Sequence, residues 1–481
     1  MPLEEVEAEA VARNLWVEWR DNREQSKTWQ AWALGAQELP AVPDTATREY
    51  RALQEKSITP WLGLCVQSLA QALIVEGYRT AGGDEDNQLW AIWQANQMDA
   101  KQTGIYEAAF TTGISYVAVL PTAMPGQRSR PMVEDVAAPE WRPYSSAEMT
   151  AFYERAYDEW PVYALAAEPG PTWRQTQGAL TRWHVTMFDD EAVYIFDQEH
   201  DGAPVLQDIR EHGMSVCPVV RYVNRQTITG RALGEVEPYT AVAARIDQDV
   251  FDRLIVQRFG SWRVRTATGL VTPETSDDQA KQELDLKVSD ILVSDSPDTT
   301  FGSLPETRLD NHLRAPIEDV RMLAAVSQTP PTHLTGDLAN ISAEALAAIE
   351  AAYNRKVEAR KVTFGEAHER AFALSAQIMG IDVDDEAQVR WRDMESRSMA
   401  QTADAFGKLA QTLQIPVEVL WDKLGFLTDQ DRERARELRA QGDGLDAVIR
   451  ELARGQTSPA DGQQSASAEP AANGQAPAAV A

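Results

Sequence analysis

Gly234-Glu235-Val236-Glu237-Pro238-Tyr239-Thr240-Ala241-Val242-Ala243-Ala244-Arg245-Ile246-Asp247-Gln248-Asp249-Val250-Phe251-Asp252-Arg253-Leu254-Ile255-Val256-Gln257-Arg258 is the stretch whose reading decides the fold. Val236, Tyr239, Ala243, Ile246, Val250 and Leu254 recur at intervals of three and four, which places them on one face of a helix. The spacing predicts one uninterrupted helix of about 35 Å at 1.5 Å per residue. After it, residues 260–305 break into short β-prone pieces, Trp262-Arg263-Val264-Arg265 and Asp290-Ile291-Leu292-Val293, separated by acidic turns. A second helical pattern runs from Leu309 to Val326, until Thr329-Pro330-Pro331 stops it. The centre of the chain therefore reads as a long helix, a compact β-rich excursion and a returning helix.

On the N-terminal side, residues 1–57 read as helical and polar. Trp16, Trp19, Trp29 and Trp32 lie near helical spacing, as one packed stripe. Thr59-Pro60-Trp61 reads as an N-cap followed by proline in the first turn, with Leu62, Cys65, Leu69 and Leu73 on one face behind it. Glu76-Gly77-Tyr78 ends that element. Asp86 to Gln97 and Ala100 to Thr112 are two further helices, with Gly113 as a C-terminal cap. Ser115 to Leu120 is a strand. Pro121 to Pro143, rich in proline and charge, reads as a long surface connection. Trp183 to Phe188 and Val193 to Phe196 form a hairpin about the acidic turn Asp189-Asp190-Glu191, and Val205 to Ile209 and Cys217 to Val223 extend a modest antiparallel sheet.

On the C-terminal side a small loop runs from Thr332 through Gly336 to Asn340. Ser342 caps a helix reaching about Met379, the longest in the chain, with Leu346, Ile349, Tyr353, Val357, Phe364 and Phe372 near helical spacing. Gly365 is a kink candidate, costing about 1 kcal/mol relative to alanine. The acidic turn Asp382 to Glu386 leads to a strand at Val389-Arg390-Trp391, and a helical set spans Ser398 to Arg454. Gly455 to Ala481 is Ala, Gln, Ser, Pro and Gly, a composition that cannot bury a core and is expected to be disordered. The fold class is α+β, mainly helical.

Composition bounds the function. The 481 residues, 43% of them hydrophobic, are enough for more than one core. No apolar run is long enough to span a bilayer, and no basic-then-apolar leader opens the chain. The two cysteines, Cys65 and Cys217, read as reduced buried thiols. With 74 acidic and 45 basic residues the net charge is −29, which excludes tight, non-specific binding of nucleic acid as the default.

The usual catalytic signatures are missing from the sequence. Gly407-Lys408-Leu409 lacks the glycine-rich lead and the hydroxyl of a P-loop, and there is no G-x-G-x-x-G, H-E-x-x-H or G-x-S-x-G. His184, His200, His212, His312, His333 and His368 do not fall at metal-ligand spacing. Asp382, Asp384, Asp385 and Glu386 do not match an EF-hand loop and read as a solvated acidic turn. The expectation is an assembly subunit, not an enzyme, with no cofactor.

Four segments together resemble the portal proteins of long-tailed bacteriophages, in the branch common among phages of actinobacteria. They are Tyr50 to Arg79 with Trp61 ahead of its apolar helix; Leu89-Trp90-Ala91-Ile92-Trp93 to Ala100 followed by Gly113-Ile114-Ser115-Tyr116-Val117; Cys217-Pro218-Val219 to Arg225 leading through Gly230-Arg231 to Asp247, Phe251-Asp252-Arg253-Leu254 and Gln257-Arg258-Phe259-Gly260; and Val389-Arg390-Trp391-Arg392-Asp393 with Ala400 to Leu409 and Ile415-Pro416-Val417-Glu418. Their order and spacing over residues 40–440 carry the resemblance. The loop Asn340-Ile341-Ser342-Ala343 departs from the Ser-Gly plus apolar pair common in such proteins.

The resemblance implies a portal fold, assembling as a ring of about twelve copies around a channel for double-stranded DNA. Residues 1–228 become an N-terminal wing, 229–259 a first stem helix, 260–305 a clip and 306–328 a second stem helix. Residues 329–341 become the channel loop, 342–389 a long wing helix, 390–455 a crown and 456–481 a tail. It implies channel-loop residues His333, Thr335, Gly336, Asp337 and Asn340. Stem charges Arg245, Asp249, Asp252, Arg253 and Arg258 are expected to pair within or between subunits. Trp262, Arg263, Arg265, Ile291 and Val293 are expected in the clip, facing motor or adaptor. The implied partners are further copies of the chain, DNA in transit without tight or sequence-specific binding, the large subunit of the terminase motor, a head-tail adaptor, and the major capsid and scaffold proteins, with no membrane. The implied place is a capsid vertex of the virion, after assembly in the host cytoplasm. The alternatives are a scaffold, which would be more uniformly helical and lack the Trp183–Val223 sheet, or a minor capsid protein, and a cytoplasmic hydrolase using paired carboxylates; a ring of defined size would separate these from the portal reading.

Overall fold

The computed structural model describes residues 1–80, 87–122, 138–169, 182–199, 202–260, 265–268, 300–303, 309–336, 343–382, 384 and 386–392, together with 406–408, 410–412, 434 and 439. The chain divides into two units, Met1–Arg392 and Asp393–Ala481. In the second, 406–408 and 410–412 are helical, within the Ser398 to Arg454 helical pattern. The rest of that pattern and the Ala/Gln-rich tail lie outside the described residues.

The first unit opens with α1 (Glu5–Leu34), α2 (Arg48–Glu55) and α3 (Trp61–Gln71). Pro60 is the N-cap of α3 rather than its first-turn residue, and no side chain caps that end. The tryptophans of α1 do not form one stripe. Trp16 and Trp19 stack at 4.5 Å and meet Trp183, with the Arg23 guanidinium 4.7 Å over that ring. Trp29 and Trp32 instead pack against a second, larger core. A thirty-residue helix is about 45 Å long, so α1 reaches both.

Gly63 is where α3 crosses α1. A Cβ there would stand 2.1 Å from the Ala33 carbonyl oxygen, a contact no side-chain rotation relieves. Gly63→Ala is expected to force the helices apart and cost about 1–3 kcal/mol, read as a lower urea midpoint at unchanged slope.

Val75–Arg79 is a strand, β1, not the end of a helix. Its partner lies more than 300 residues away, which no local pattern could reveal. Next come α4 (Asn87–Ala95) and α5 (Met98–Thr112), the latter ended by Gly113 at φ +101°, then β2 (Ile114–Pro121). β3 (Pro139–Ser145) pairs antiparallel along β2, so the C-terminal part of the expected surface connection is sheet, with Trp141 fully buried. The strands β4 (Met149–Phe152), β5 (Tyr163–Pro169), β6 (Arg182–Phe188), β7 (Ala192–Glu199), β8 (Val205–Glu211) and β9 (Val219–Val223) follow. The hairpin β6–β7 is the expected one, and Asp189 builds its turn by accepting from the backbone N–H of Glu191 and Ala192. The expected single sheet is two: a five-stranded one in the order β4-β5-β6-β7-β8 and a three-stranded one in the order β3-β2-β9. β4 and β5 carry no signal that the sequence reading caught.

The helix at the centre of the chain is shorter than its apolar pattern. Glu237–Tyr239 is a 3-10 turn, and α6 runs Thr240–Gly260. Pro238 lacks the N–H a continuous helix would need there. β10 (Arg265–Thr268) pairs antiparallel with β11 (Thr300–Ser303), so the excursion does contain a β ladder. The return helix is α7 (Asp310–Ser327), followed by α8 (Pro331–Thr335) and α9 (Ala343–Met379). α8 replaces the first part of the expected loop with one helical turn, started by Pro331 and ended at Gly336. β12 (Gln388–Trp391) closes the unit against β1. Gly365 in α9 is a point of close approach to β12: its absent Cβ would be 3.3 Å from Val389 Cγ2.

α9 packs along β9 and β2, and the larger core gathers around it, with Phe364, Ala367, Ala371 and Phe372 buried among Trp93, Tyr106, Phe110, Trp141 and Tyr222. Cys65 and Cys217 are free and buried, and burial pushes both thiols up from their usual range. Neither is expected to react with an aromatic disulfide reagent in the native protein, and both should react once denaturant unfolds it.

Candidate functional site

The candidate site is the helix–ladder–helix segment formed by α6, the β10–β11 pair and α7, with the polar groups that anchor it. α6 and α7 pack against each other. Arg245 Nε donates to Asp319 Oδ2 at 2.6 Å, joining the two helices within one subunit. Asp249 stands beside the same carboxylate, and its own carboxyl is raised by burial and then by the negative charges of Asp319 and Asp252. Asp252 accepts from Gln248 Nε2 at 3.0 Å. Arg258 reaches Glu49 of α2 at 3.8 Å, both side chains being largely exposed. Arg253 Nε is buried with no hydrogen-bond partner among the described residues. The expected stem charges are thus brought together at Arg245 and Asp249, while Arg258 pairs elsewhere.

Asp247 fixes α6 to the N-terminal helices. It is 2% exposed, accepts from Gln37 Nε2 at 2.8 Å and from the Thr59 N–H at 3.3 Å. Burial raises its carboxyl, and these two donors only partly offset that.

The root of the segment is a buried ion cluster that sequence reasoning missed. Lys356 Nζ of α9 donates to Glu235 Oε2 at 2.6 Å and to the Ser327 carbonyl at the end of α7 at 2.9 Å. Arg360 and Asn224 donate to Glu235 Oε1 at 3.4 Å and 3.0 Å, and the Glu235 N–H donates to the Phe110 carbonyl. Burial alone would raise the Glu235 carboxyl, but the Lys356 charge and hydrogen bond, the Asn224 hydrogen bond and the Arg360 charge together hold it below the usual carboxylate value. The Lys356 side chain therefore ties α9 to the end of α7 and to Glu235, ahead of α6, and the Glu235 backbone N–H ties that point to the end of α5. No spacing signal could find it, since Glu235 and Lys356 are separated by 121 positions.

The expected channel-loop residues divide. His333 and Thr335 stand on α8. His333 Nδ1 is 3.0 Å from Ser68 Oγ, its ring lies edge-on 5.2 Å from Tyr353, and Tyr353 Oη donates to the Ser68 carbonyl at 2.6 Å. Thr335 Oγ1 donates to the Pro331 carbonyl, and Gly336 at φ +67° ends the turn. Asp337 and Asn340 lie outside the described residues, as do Trp262, Arg263, Ile291 and Val293 of the expected clip. Arg265 begins β10, opposite Ser303.

Among the described residues no group of three His, Cys, Asp or Glu is placed to hold a metal ion, and no helix is long and apolar enough to cross a membrane. The polar groups of the site hold helices to one another. Residues 13–445 match the family described as phage portal protein, SPP1 Gp6-like. The chain belongs to that family of phage portal proteins, a structural family. Among its relatives, the portal protein of Mycobacterium phage D29 is 27% identical over 405 residues, covering 79% of each chain. The portal protein of Mycobacterium phage L5 is 26% identical over 476 residues, covering 92% of each.

Proposed function

We propose that this chain is the ring-forming subunit at one vertex of a phage capsid, where head assembly starts and double-stranded DNA enters and leaves. The observation that carries the reading is the family match across residues 13–445, nearly the whole chain, on a fold whose centre is the α6, β10–β11, α7 segment. In this reading α6 and α7 are the stem, the β10–β11 region is the clip that meets the terminase motor or the head-tail adaptor, and residues 329–341 are the channel loop. Residues 1–228 and α9 form the wing, and 390–455 the crown inside the capsid.

The charge supports the reading. About twelve copies at −29 sum to roughly −350, a field that repels phosphate. Each tight phosphate contact would brake a duplex in transit, so a channel built from acidic subunits lets it slide. The five-stranded and three-stranded sheets speak against a scaffold protein. Energy for packaging comes, in this reading, from a separate ATPase.

Native mass spectrometry with electron microscopy of the purified chain is the test. A closed ring of about twelve 53.3 kDa subunits with a central hole wide enough for a DNA duplex is expected. A monomer or dimer at high concentration, unchanged when scaffold protein is added, overturns the reading.

A further inference from the structure

Glu18, Asn22, Gln25, Ser26 and Trp29 fall at helical spacing on one face of α1, and they form one wall of a cavity of about 320 Å³. Residues of β2, β4 and β9 and residues 230–232 supply other walls. The volume is that of a small-molecule site. Much of the polar lining already has partners. The Ser26 and Ser146 hydroxyls stand 2.9 Å apart, and Ser146 donates to Thr112 Oγ1 at 2.7 Å. Asn22 Nδ2 donates to Thr150 Oγ1 at 3.1 Å, and Arg231 pairs with Glu237. Two charges in the lining are different. The Arg221 guanidinium lies 3.9 Å over the Tyr153 ring and its Nη2 donates to the Ala156 carbonyl at 3.0 Å, but no carboxylate pairs with it among the described residues. Glu18 has no cation partner among them either. Partial burial raises its carboxyl, and the Thr150 hydroxyl only partly offsets that rise.

We infer that this cavity binds a small zwitterion, a free α-amino acid, with its carboxylate on the Arg221 guanidinium and its ammonium beside the Glu18 carboxylate. The two charges line one cavity without pairing with each other, so a ligand complementary to both carries both signs. A simple anion would leave Glu18 facing a like charge, and a simple cation would do the same to Arg221. The guanidinium suits a carboxylate because its planar fork presents parallel donors. The Tyr153 ring and the Ala156 carbonyl orient it before a ligand arrives, which lowers the cost of ordering. A ligand in this position bridges α1 to β9 and stabilises the folded unit by mass action. The inference is independent of the ring reading, because every residue it uses lies in one chain.

The test uses the full-length chain. Thermal unfolding is followed with each standard L-amino acid at roughly 10 mM, and with acetate and methylammonium at the same concentration as single-charge probes. At least one amino acid is expected to raise Tm, and neither single-charge probe is. Calorimetric titration of that amino acid then compares wild type with Glu18→Gln, Arg221→Met and Arg258→Gln. The first two variants are expected to weaken Kd by at least about tenfold, each removing one charge-assisted contact. Arg258→Gln, whose side chain reaches Glu49 and not the cavity, should bind as wild type does. Glu18→Gln should also narrow the preference for the amino acid over acetate, because the ammonium has lost its partner. Should Arg221→Met fail to fold, Glu18→Gln alone decides. No amino acid that raises Tm, a single-charge probe that matches the best amino acid, or an unchanged Kd in Glu18→Gln overturns the inference.

Discussion

Replacing Lys356 with methionine is expected to destabilise the first unit by about 3–5 kcal/mol, among the largest effects of any single substitution in it. Lys356 and Glu235 side chains are 8% and 6% exposed, so removing the ammonium leaves a carboxylate in the interior with Arg360 at 3.4 Å and Asn224 at 3.0 Å. It also strips the Ser327 carbonyl of its donor, at the point where α7 ends. The double variant Lys356→Met, Glu235→Leu should recover part of the loss, because a buried ion pair costs nearly as much to desolvate as it returns, whereas half of one returns nothing. Denaturant unfolding of the two single variants, the double variant and wild type gives the coupling energy, and strict additivity would overturn the account. The sign with pH follows from the lowered carboxyl. Glu235 contributes stability that is full above the ordinary value of 4.5 and is lost as pH falls through its lower folded value. Lys356→Met should therefore flatten the acid limb of the stability curve below 4.5.

What the sequence disclosed here was what is local. α9 was readable end to end because its apolar residues keep helical period over 37 residues. The β6–β7 hairpin was readable because alternating residues flank a turn whose Asp189 satisfies two backbone donors by itself. α7 was readable because a run of helical period meets Pro330 and Pro331. What stayed hidden was set by partners far along the chain. β1 and β12 are five and four residues long, and each is a strand only because the other is beside it. β3 was masked by Pro139 and Pro143, which sit in a strand because β2 pairs along one side of it. At the site, the period of α6 exposed the helix but not its start, since Val236 continues the apolar face through a 3-10 turn. The resemblance named Arg245 and Asp249, which lie together on α6 beside Asp319, yet it was silent on Glu235 and Lys356, whose significance comes from burial and not from any motif.

His368 supplies the second large effect, and it depends on acid. The imidazole is fully buried, with Nε2 at 2.7 Å from Tyr106 Oη and Nδ1 at 2.9 Å from Tyr222 Oη. Tyr106 also donates to Gln102 Oε1, so the consistent arrangement has Nε2–H donating to Tyr106 and Tyr222 donating to Nδ1. Rings of Trp93, Trp141 and Trp391 complete the surroundings. Burial lowers the imidazole from 6.5 to about 3, with no neighbouring charge to offset it. Above pH 6.5 the group is neutral whether folded or unfolded and leaves stability unchanged. Below it, the unfolded chain takes up a proton that the folded one refuses, so stability falls with pH until about 3. At about 1.36 kcal/mol per unit, the loss is about 2 kcal/mol by pH 5 and about 5 kcal/mol by pH 3. His368→Gln keeps a donor and an acceptor between the tyrosines but cannot take up the proton. It is expected to be less stable than wild type at pH 7, through poorer packing, and to lose less stability between pH 7 and pH 5, so that the two curves approach each other. Urea unfolding at both pH values measures this directly, and parallel curves would mean that His368 titrates alike in the folded and unfolded chain. α9 carries both His368 and Lys356, so acid that loosens the core also loosens the root of α6 and α7.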